Sequence, residues 1–340
     1  MIKNHETKSI NDSAIVAVVI PCYRVRAKIL GVISAIGKEV NQIFVVDDCC
    51  PDKSGLFVQK HNLDPRVVVL TNERNLGVGG AVIAGYKAAI TAHAEIIVKI
   101  DGDGQMDPGL IPILIDPILN GAADYTKGNR FFYLDQIGSM PKLRIFGNAI
   151  LSFITKVSSG YWNIFDPTNG FTAIHANVAS HIPFEKISQR FFFESDMLFR
   201  LNLLRAVVWD IPMDAKYEDE VSNLKVSSVV HEFAVKNIKN LFKRIFYNYF
   251  LRDMSLASIE LIVGTLFILF GLIFGCYHWS NSALLGVQTP IGTVMLAVLP
   301  IMIGIQFILG FIGFDISSIP SKPINILLRP RKINDKHKTH

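Results

Sequence analysis

Cysteine is scarce in this chain of 340 residues, and the four present, Cys22, Cys49, Cys50 and Cys276, show no metal-ligand spacing. Neighbours such as Cys49 and Cys50 rarely bridge each other, so neither a zinc site nor a disulfide framework is expected. The first residues, Met1 to Ser13, are polar and lack the apolar core of a signal peptide, so the domain that follows is expected to stay in the cytoplasm. Charge is thin as well: 19% of residues are Asp, Glu, Lys or Arg against 50% hydrophobic, and the mean hydropathy is +0.34. That balance is high for a soluble protein. Two stretches with almost no charge produce it. Leu256 to Tyr277 carries only Glu260, and Ile291 to Phe314 carries none. Each is long enough to cross a hydrocarbon core of ~30 Å.

The connection between them, His278 to Pro290, contains no Lys or Arg. Lys236, Lys239, Lys243, Arg244 and Arg252 precede the pair, and Lys322, Arg329, Arg331 and Lys332 follow it. The positive-inside rule then predicts a multi-pass protein of the inner membrane with the N-terminal domain and both termini cytoplasmic. The net charge of +5 owes much to these clusters and points to anionic lipid rather than nucleic acid. Ile238, Leu241, Phe242, Ile245, Phe246 and Tyr249 recur at helical spacing, with Lys236, Lys239 and Lys243 on another face. This predicts a helix lying on the inner leaflet. The expected layout is a polar tail over 1–13, a catalytic domain over 14–230 and a juxtamembrane helix over 231–252. Two spans follow within 253–316 (about 256–277 and 291–314), then a basic cytoplasmic tail over 317–340.

The N-terminal half repeats one pattern, an apolar run of strand length closed by turn or acidic residues. Ile15 to Ile20 ends in Pro21-Cys22-Tyr23, whose proline is expected to stop the ladder. A helix over about Ala27 to Glu39 leads to Gln42–Asp48, which ends in Asp47 and Asp48. Arg66 to Leu70 is a third strand, and Asn75-Leu-Gly-Val-Gly-Gly-Ala81 opens a helix running to about Ala92. The fourth strand, Ile96 to Ile100, delivers Asp101 and Asp103, with Gln105 next. Strand, helix, strand, strand, helix, strand predicts a doubly wound, mostly parallel α/β sheet. In such sheets ligands bind beyond the carboxyl ends of the strands. Two carboxylates at i and i+2, with an amide beside them, suit a Mg²⁺ or Mn²⁺ ion that also holds a diphosphate. Tyr23 offers a ring for a base, and Asp47 and Asp48 offer acceptors for a base or ribose or, alternatively, caps for the next helix. Gly77-x-Gly79-Gly80 reads either as a dinucleotide fingerprint or as a glycine-rich helix start with backbone N–H groups near a phosphate.

Ile-Pro-Cys-Tyr, Val-Val-Asp-Asp-x-x-Pro-Asp, Asn-x-Gly-x-Gly-Gly-Ala and Asp-Gly-Asp-Gly-Gln, in that order, resemble the family 2 glycosyltransferases of the GT-A fold. The group most similar is the dolichyl-phosphate mannose synthase type, which includes bacterial enzymes that load a sugar onto undecaprenyl phosphate. The likeness runs from about Ile15 to Phe314, because two C-terminal spans also occur in that group. It implies that Pro21, Tyr23, Asp47, Asp48, Gly77 and Asp101 face a donor nucleotide, and that Asp101, Asp103 and Gln105 hold the metal. It also implies that Arg130 and Arg144 grip the acceptor phosphate. Glu194 and Asp196 stand where the wider family often has a general base, and remain open between a site role and a helix cap. The chain has Tyr23-Arg24-Val25 where mannose synthases usually show Tyr-Asn-Glu, which leaves the nucleotide and sugar open.

The implied activity is an inverting transfer of a hexose from a nucleotide diphosphate sugar to a polyprenyl phosphate, undecaprenyl or dolichyl. A UDP-sugar is favoured, with GDP-mannose the alternative, and the product is a lipid-linked sugar for cell-envelope glycans. The expected partners are the donor, the lipid phosphate and the bilayer; a homo-oligomer is compatible with all of this. A processive polysaccharide synthase would carry more spans and a Gln-x-x-Arg-Trp signature, neither of which is evident. A non-catalytic membrane scaffold would not need the intact Asp101, Asp103 and Gln105.

Overall fold

The computed structural model describes residues 14–132, 142–214 and 226–328. The tails over 1–13 and 329–340 lie outside the described residues. Seven strands form one sheet: β1 (Val16–Cys22), β2 (Gln42–Asp47), β3 (Val67–Thr71), β4 (Ile96–Lys99), β5 (Tyr125–Asn129), β6 (Thr172–His175) and β7 (Val208–Pro212). Their order is β3-β2-β1-β4-β6-β5-β7. β1 pairs in parallel with β2 and β4, and β2 with β3; β6 runs antiparallel to both β4 and β5, and β7 is parallel to β5. Only β6 therefore runs against the rest. The carboxyl ends of β1, β2, β4 and β5 open on a common edge. β1 and β4 are apolar and buried along almost their whole length, as expected for parallel strands covered on both faces.

The helices are α1 (Ile29–Ala35), α2 (Ser54–His61), α3 (Val78–Thr91), α4 (Ile111–Leu119), α5 (Lys142–Ser159), α6 (Ala176–His181), α7 (Phe193–Leu204), α8 (Val226–Phe246), α9 (Leu256–Leu285) and α10 (Ile291–Ser317). Three expectations need correction. Pro21 does not stop β1, which stays in register with β2 through Pro21↔Val46 and Cys22↔Asp47. Val16 and Cys22 bond toward β2 and Val19 toward β4, so alternation turns Pro21 toward the β4 side. β4 has already ended at Lys99, so the missing N–H costs no ladder bond. The first helix is shorter than read, because Ile36 is already extended ahead of Gly37. A helix unmarked in the sequence reading, α2, crosses between β2 and β3. Parallel neighbours cannot be joined by a tight turn, and that requirement was the available signal.

The described chain divides into two compact units, with breaks at Asn237/Ile238 and Ile319/Pro320. After α10 the chain returns to the first unit. There the buried Asp124 carboxylate accepts from the backbone N–H groups of Val207, Ile324 and Asn325 at 2.7–3.0 Å.

The second unit holds α9 and α10, of 30 and 27 residues, both long and apolar enough to cross a membrane. At 1.5 Å per residue each reaches ~40 Å or more. The helices run past the expected ends, to Leu285 and Ser317, leaving only a short connection over 286–290. α9 starts on a capping box at Ser255, and its Gly264 sits against Gly304 of α10, where an added Cβ would lie 3.0 Å from a carbonyl oxygen. The stripe expected on α8 is divided. Ile238, Phe242 and Phe246 are exposed beside Lys239 and Lys243, whereas Tyr249 is buried with Ile245 packed on the same small core. Arg244, counted above among the flanking cations, is buried. Its guanidinium donates to both oxygens of Asp315 at 2.5 and 3.0 Å, and Tyr249 donates to the same carboxylate at 2.6 Å. The charge is thus neutralised inside the unit rather than offered to lipid.

Candidate active site

Beyond β1 the sheet continues one way through β2 and β3 and the other way through β4, so the gap outside the β1 and β4 carboxyl ends is a topological switch point. A cleft of about 550 Å³ opens there. Pro21, Tyr23 and Val25 line it from the exit of β1, Asp48 from β2, and Asn75 and Gly77 from the entry to α3. Asp101 and Asp103 come from the exit of β4, and Arg190 and Phe191 from the loop before α7.

Tyr23 is 43% exposed, so its ring is available to a planar ligand. The two acids after β2 have different tasks. Asp47 is not a lining residue: its oxygens accept from the N–H of Cys50 at 2.7 Å and of Gly55 at 2.6 Å, pinning the start of α2. Asp48 lines the cleft and accepts from Asn72 Nδ2 and the N–H groups of Leu76 and Gly77. Gly77 has φ +87°, and a Cβ there would stand 2.7 Å from the Gln189 carbonyl oxygen. The Gly80 N–H donates to that same oxygen. Protein groups thus take up N–H groups that a dinucleotide fingerprint would offer to a pyrophosphate, which argues against that reading.

Asp101 and Asp103 face one cleft, whereas Gln105 does not line it. The Gln105 backbone N–H donates to Asp103 Oδ1 at 3.0 Å, so its main chain serves the metal candidate instead. Among the described residues no group of three or more His, Cys, Asp or Glu is placed to hold a metal. Two hard carboxylates fit Mg²⁺ or Mn²⁺ all the same, because such ions keep waters and take substrate phosphates as ligands.

Lys99, the last residue of β4, was missed in the sequence. It is 1% exposed, and its ammonium lies 3.0 Å from Asp101 Oδ1 and 3.1 Å from Glu194 Oε1. Burial works against the charged form, but the two carboxylates outweigh it and leave the Lys99 pKa raised. For Glu194 burial dominates over the pull of Lys99, so its pKa is raised from its ordinary value. The signal available was a lone lysine inside an apolar strand, since a fully buried ammonium requires partners. Arg190, a cation on the cleft wall, was also missed. Asp196 has a different role from Glu194: it accepts from the Ser188 N–H at 2.9 Å and pairs with Arg200 at 3.3 Å, bracing the loop that carries Arg190.

Arg130 follows β5 and therefore emerges on the same sheet edge. Its Nε and Nη2 donate to Asp166 Oδ2 and Oδ1 at 2.7 and 2.8 Å, a two-pronged clamp on a buried carboxylate. Burial would raise the Asp166 pKa, but the Arg130 guanidinium prevails and holds it below its ordinary value. Lys127, buried in β5, pairs with Asp210 at 3.1 Å and donates to the Phe165 carbonyl, fixing the segment that leads to Asp166. Arg144 falls in the first turn of α5, with its side chain outside the described part of the structure.

Residues 17–182 match the family described as glycosyl transferase family 2. The UDP-N-acetylglucosamine–dolichyl-phosphate N-acetylglucosaminyltransferase of Methanococcus voltae is 26% identical over 60% of this chain and 87% of its own length. The undecaprenyl-phosphate mannosyltransferase of Micrococcus luteus is 28% identical over 58% of this chain and 81% of its own. Among solved structures, glucosyl-3-phosphoglycerate synthase from Mycobacterium tuberculosis, in complex with Mn²⁺, UDP and glucosyl-3-phosphoglycerate, superposes with a TM-score of 0.51 at 16% identity. That match covers 72% of this chain and 86% of the other, and shows a shared fold.

Proposed function

We propose that this chain, whose residues 17–182 match glycosyl transferase family 2, is a glycosyltransferase that transfers a hexose from a nucleotide diphosphate sugar to a polyprenyl phosphate. The observation that carries the reading is the presence, in one chain, of a switch-point cleft with Tyr23, Asp48, Asp101 and Asp103 and of two helices long enough to cross a membrane. A lipid-borne acceptor gives those helices a use, since they would hold the cleft's chain at the membrane where such an acceptor lies. The names of the two relatives, which pair a sugar with a lipid phosphate, support the same class.

In this reading Tyr23 stacks on the base and Asp48 accepts from the nucleoside. Arg190 faces the diphosphate, and Asp101 and Asp103 would hold a divalent cation. Such a cation would supply neutralisation of the charge that builds on the departing diphosphate; the structural neighbour is itself a complex with Mn²⁺ and UDP. The acceptor oxygen attacks the anomeric carbon opposite the leaving nucleoside diphosphate, inverting it. A phosphate monoester has a second pKa of ≈ 6 and is largely ionised at neutral pH, so it needs little base catalysis. Arg130, held by Asp166, is assigned to that phosphate, and Arg144 is assigned the same partner. The test is to add a short polyprenyl phosphate to purified protein with UDP- and GDP-sugars. Release of nucleoside diphosphate that depends on the lipid is expected; release that is indifferent to it would overturn the acceptor assignment.

Lys236, Lys239, Lys243, Arg252 and Lys322 flank the helical pair, while residues 286–290 carry no cation, which supports a cytoplasmic catalytic unit in the inner membrane. The exposed Ile238, Phe242 and Phe246 then meet the lipid surface. A topology reporter fused after Gly286 is expected to read the outside; a cytoplasmic reading would invert or remove a span.

A further inference from the structure

We propose that Lys99 is a positioning residue for the cation and diphosphate end of the cleft, and that Gly170 is the gap that allows it to reach Asp101. The inference rests on the functional reading above. Lys99 is fully inside the first unit, and its ammonium bridges one cleft-lining carboxylate, Asp101, and one carboxylate that does not line the cleft, Glu194. An ammonium withdrawn from water is costly unless paired and hydrogen-bonded. Glu194 alone could serve that need, away from the cleft. Lys99 instead also holds Oδ1 of Asp101, which fixes the rotation of the carboxylate and hence the direction of Oδ2.

Gly170 makes this arrangement specific. A Cβ at residue 170 would stand 2.2 Å from Lys99 Nζ and 2.7 Å from Asp101 Oδ2, so any side chain there must displace the ammonium or the carboxylate. The turn that presents Gly170 is stiff: Asn169 Nδ2 donates to Asp166 Oδ2 at 3.2 Å, and the Phe171 N–H donates to Asn169 Oδ1 at 2.9 Å. Asp166, at the start of the same turn, clamps Arg130. One short segment therefore sets both the guanidinium on the acceptor side and the carboxylate on the cation side.

Electrostatics and positioning make opposite predictions. An ammonium beside Asp101 repels an incoming divalent cation, so on charge alone Lys99→Met would tighten cation binding. If Lys99 acts by holding Asp101, the same change weakens it. The experiment measures Mn²⁺ binding to the full-length protein in nanodiscs, with UDP or GDP present and no acceptor, from the electron paramagnetic resonance of free Mn²⁺. Lys99→Met and Gly170→Ala are each expected to weaken nucleotide-dependent Mn²⁺ binding by about tenfold or more, the scale of one charge-assisted hydrogen bond. Lys99→Met/Glu194→Gln, which restores the charge balance without restoring the hold on Asp101, is expected to stay weak. Unchanged or tighter Mn²⁺ binding in the folded single variants would overturn the proposal, as would full recovery in the double variant. Gly170→Ala keeps every charge in place, so it decides the matter if Lys99→Met does not fold. A wild type that binds no Mn²⁺ with either nucleotide would overturn the functional reading as well, a result distinct from equal binding by all proteins.

Discussion

Asp103→Asn is expected to lower kcat/KM by about a hundredfold to a thousandfold, the scale seen when one preorganised electrostatic group is removed from a site where charge develops. Stability should stay near that of the wild type. Asp103 is only partly buried, and its Oδ1 accepts from the Gln105 N–H, a bond that an asparagine carbonyl oxygen also accepts. The turn therefore survives while the negative charge on the cleft wall is lost. A chelator should reproduce the defect in the wild type, and Mg²⁺ or Mn²⁺ should reverse it there but not in the variant. Asp101→Asn should differ by also lowering the unfolding midpoint, because it leaves the buried Lys99 with one anionic partner in place of two. Full activity in EDTA, or near-normal rates for Asp103→Asn, would remove the cation from the mechanism.

Placing Asp101 and Asp103 at a ligand edge needed only the local sequence, because an apolar run of strand length must be buried and acids at its end must emerge at the sheet edge. Parallel pairing of β1, β2, β3 and β4 followed in the same way, from uninterrupted apolar runs that suit strands covered on both faces. What the sequence left undecided was settled by partners distant along the chain. Asp47 and Asp48 are adjacent and chemically alike; only the seating of α2, whose Gly55 N–H meets Asp47, leaves Asp48 for the cleft. Arg130 and Asp166 are 36 positions apart and meet because the end of β5 lies beside the turn before β6. Arg244 looked like one more flanking cation until the fold of the hairpin brought Asp315 onto it. Glu194 and Asp196, two residues apart, were separable only once β4 delivered Lys99 to the first and the loop at Ser188 reached the second.

Arg130 carries the other large effect, and its measurement has to separate function from stability. The guanidinium is clamped to Asp166 through Nε and Nη2, and the side chain is 24% exposed, so an anion can approach it. Arg presents planar, paired donors that Lys cannot reproduce. Arg130→Lys is therefore expected to raise the KM for polyprenyl phosphate by roughly tenfold to 150-fold, the value of one charge-assisted hydrogen bond, while donor affinity without lipid stays unchanged. Arg130→Ala alone would mislead, because it strands a buried carboxylate at a cost of about 3–5 kcal/mol. Arg130→Ala/Asp166→Asn avoids that charge and isolates the loss of the acceptor contact. The pH dependence gives an independent check on the pair. The Asp166 pKa is depressed in the folded state, so its stabilisation is complete above the unfolded value of about 3.9 and is lost as pH falls through the lower folded value. The stability difference between wild type and Arg130→Ala should accordingly be full at neutral pH and shrink in acid. Urea unfolding at pH 7 and at pH 3, beside a lipid titration and a donor isotherm, tests both halves. A lost donor isotherm in Arg130→Lys would move the arginine to the donor side, and an unchanged lipid dependence would leave it as a structural clamp for Asp166.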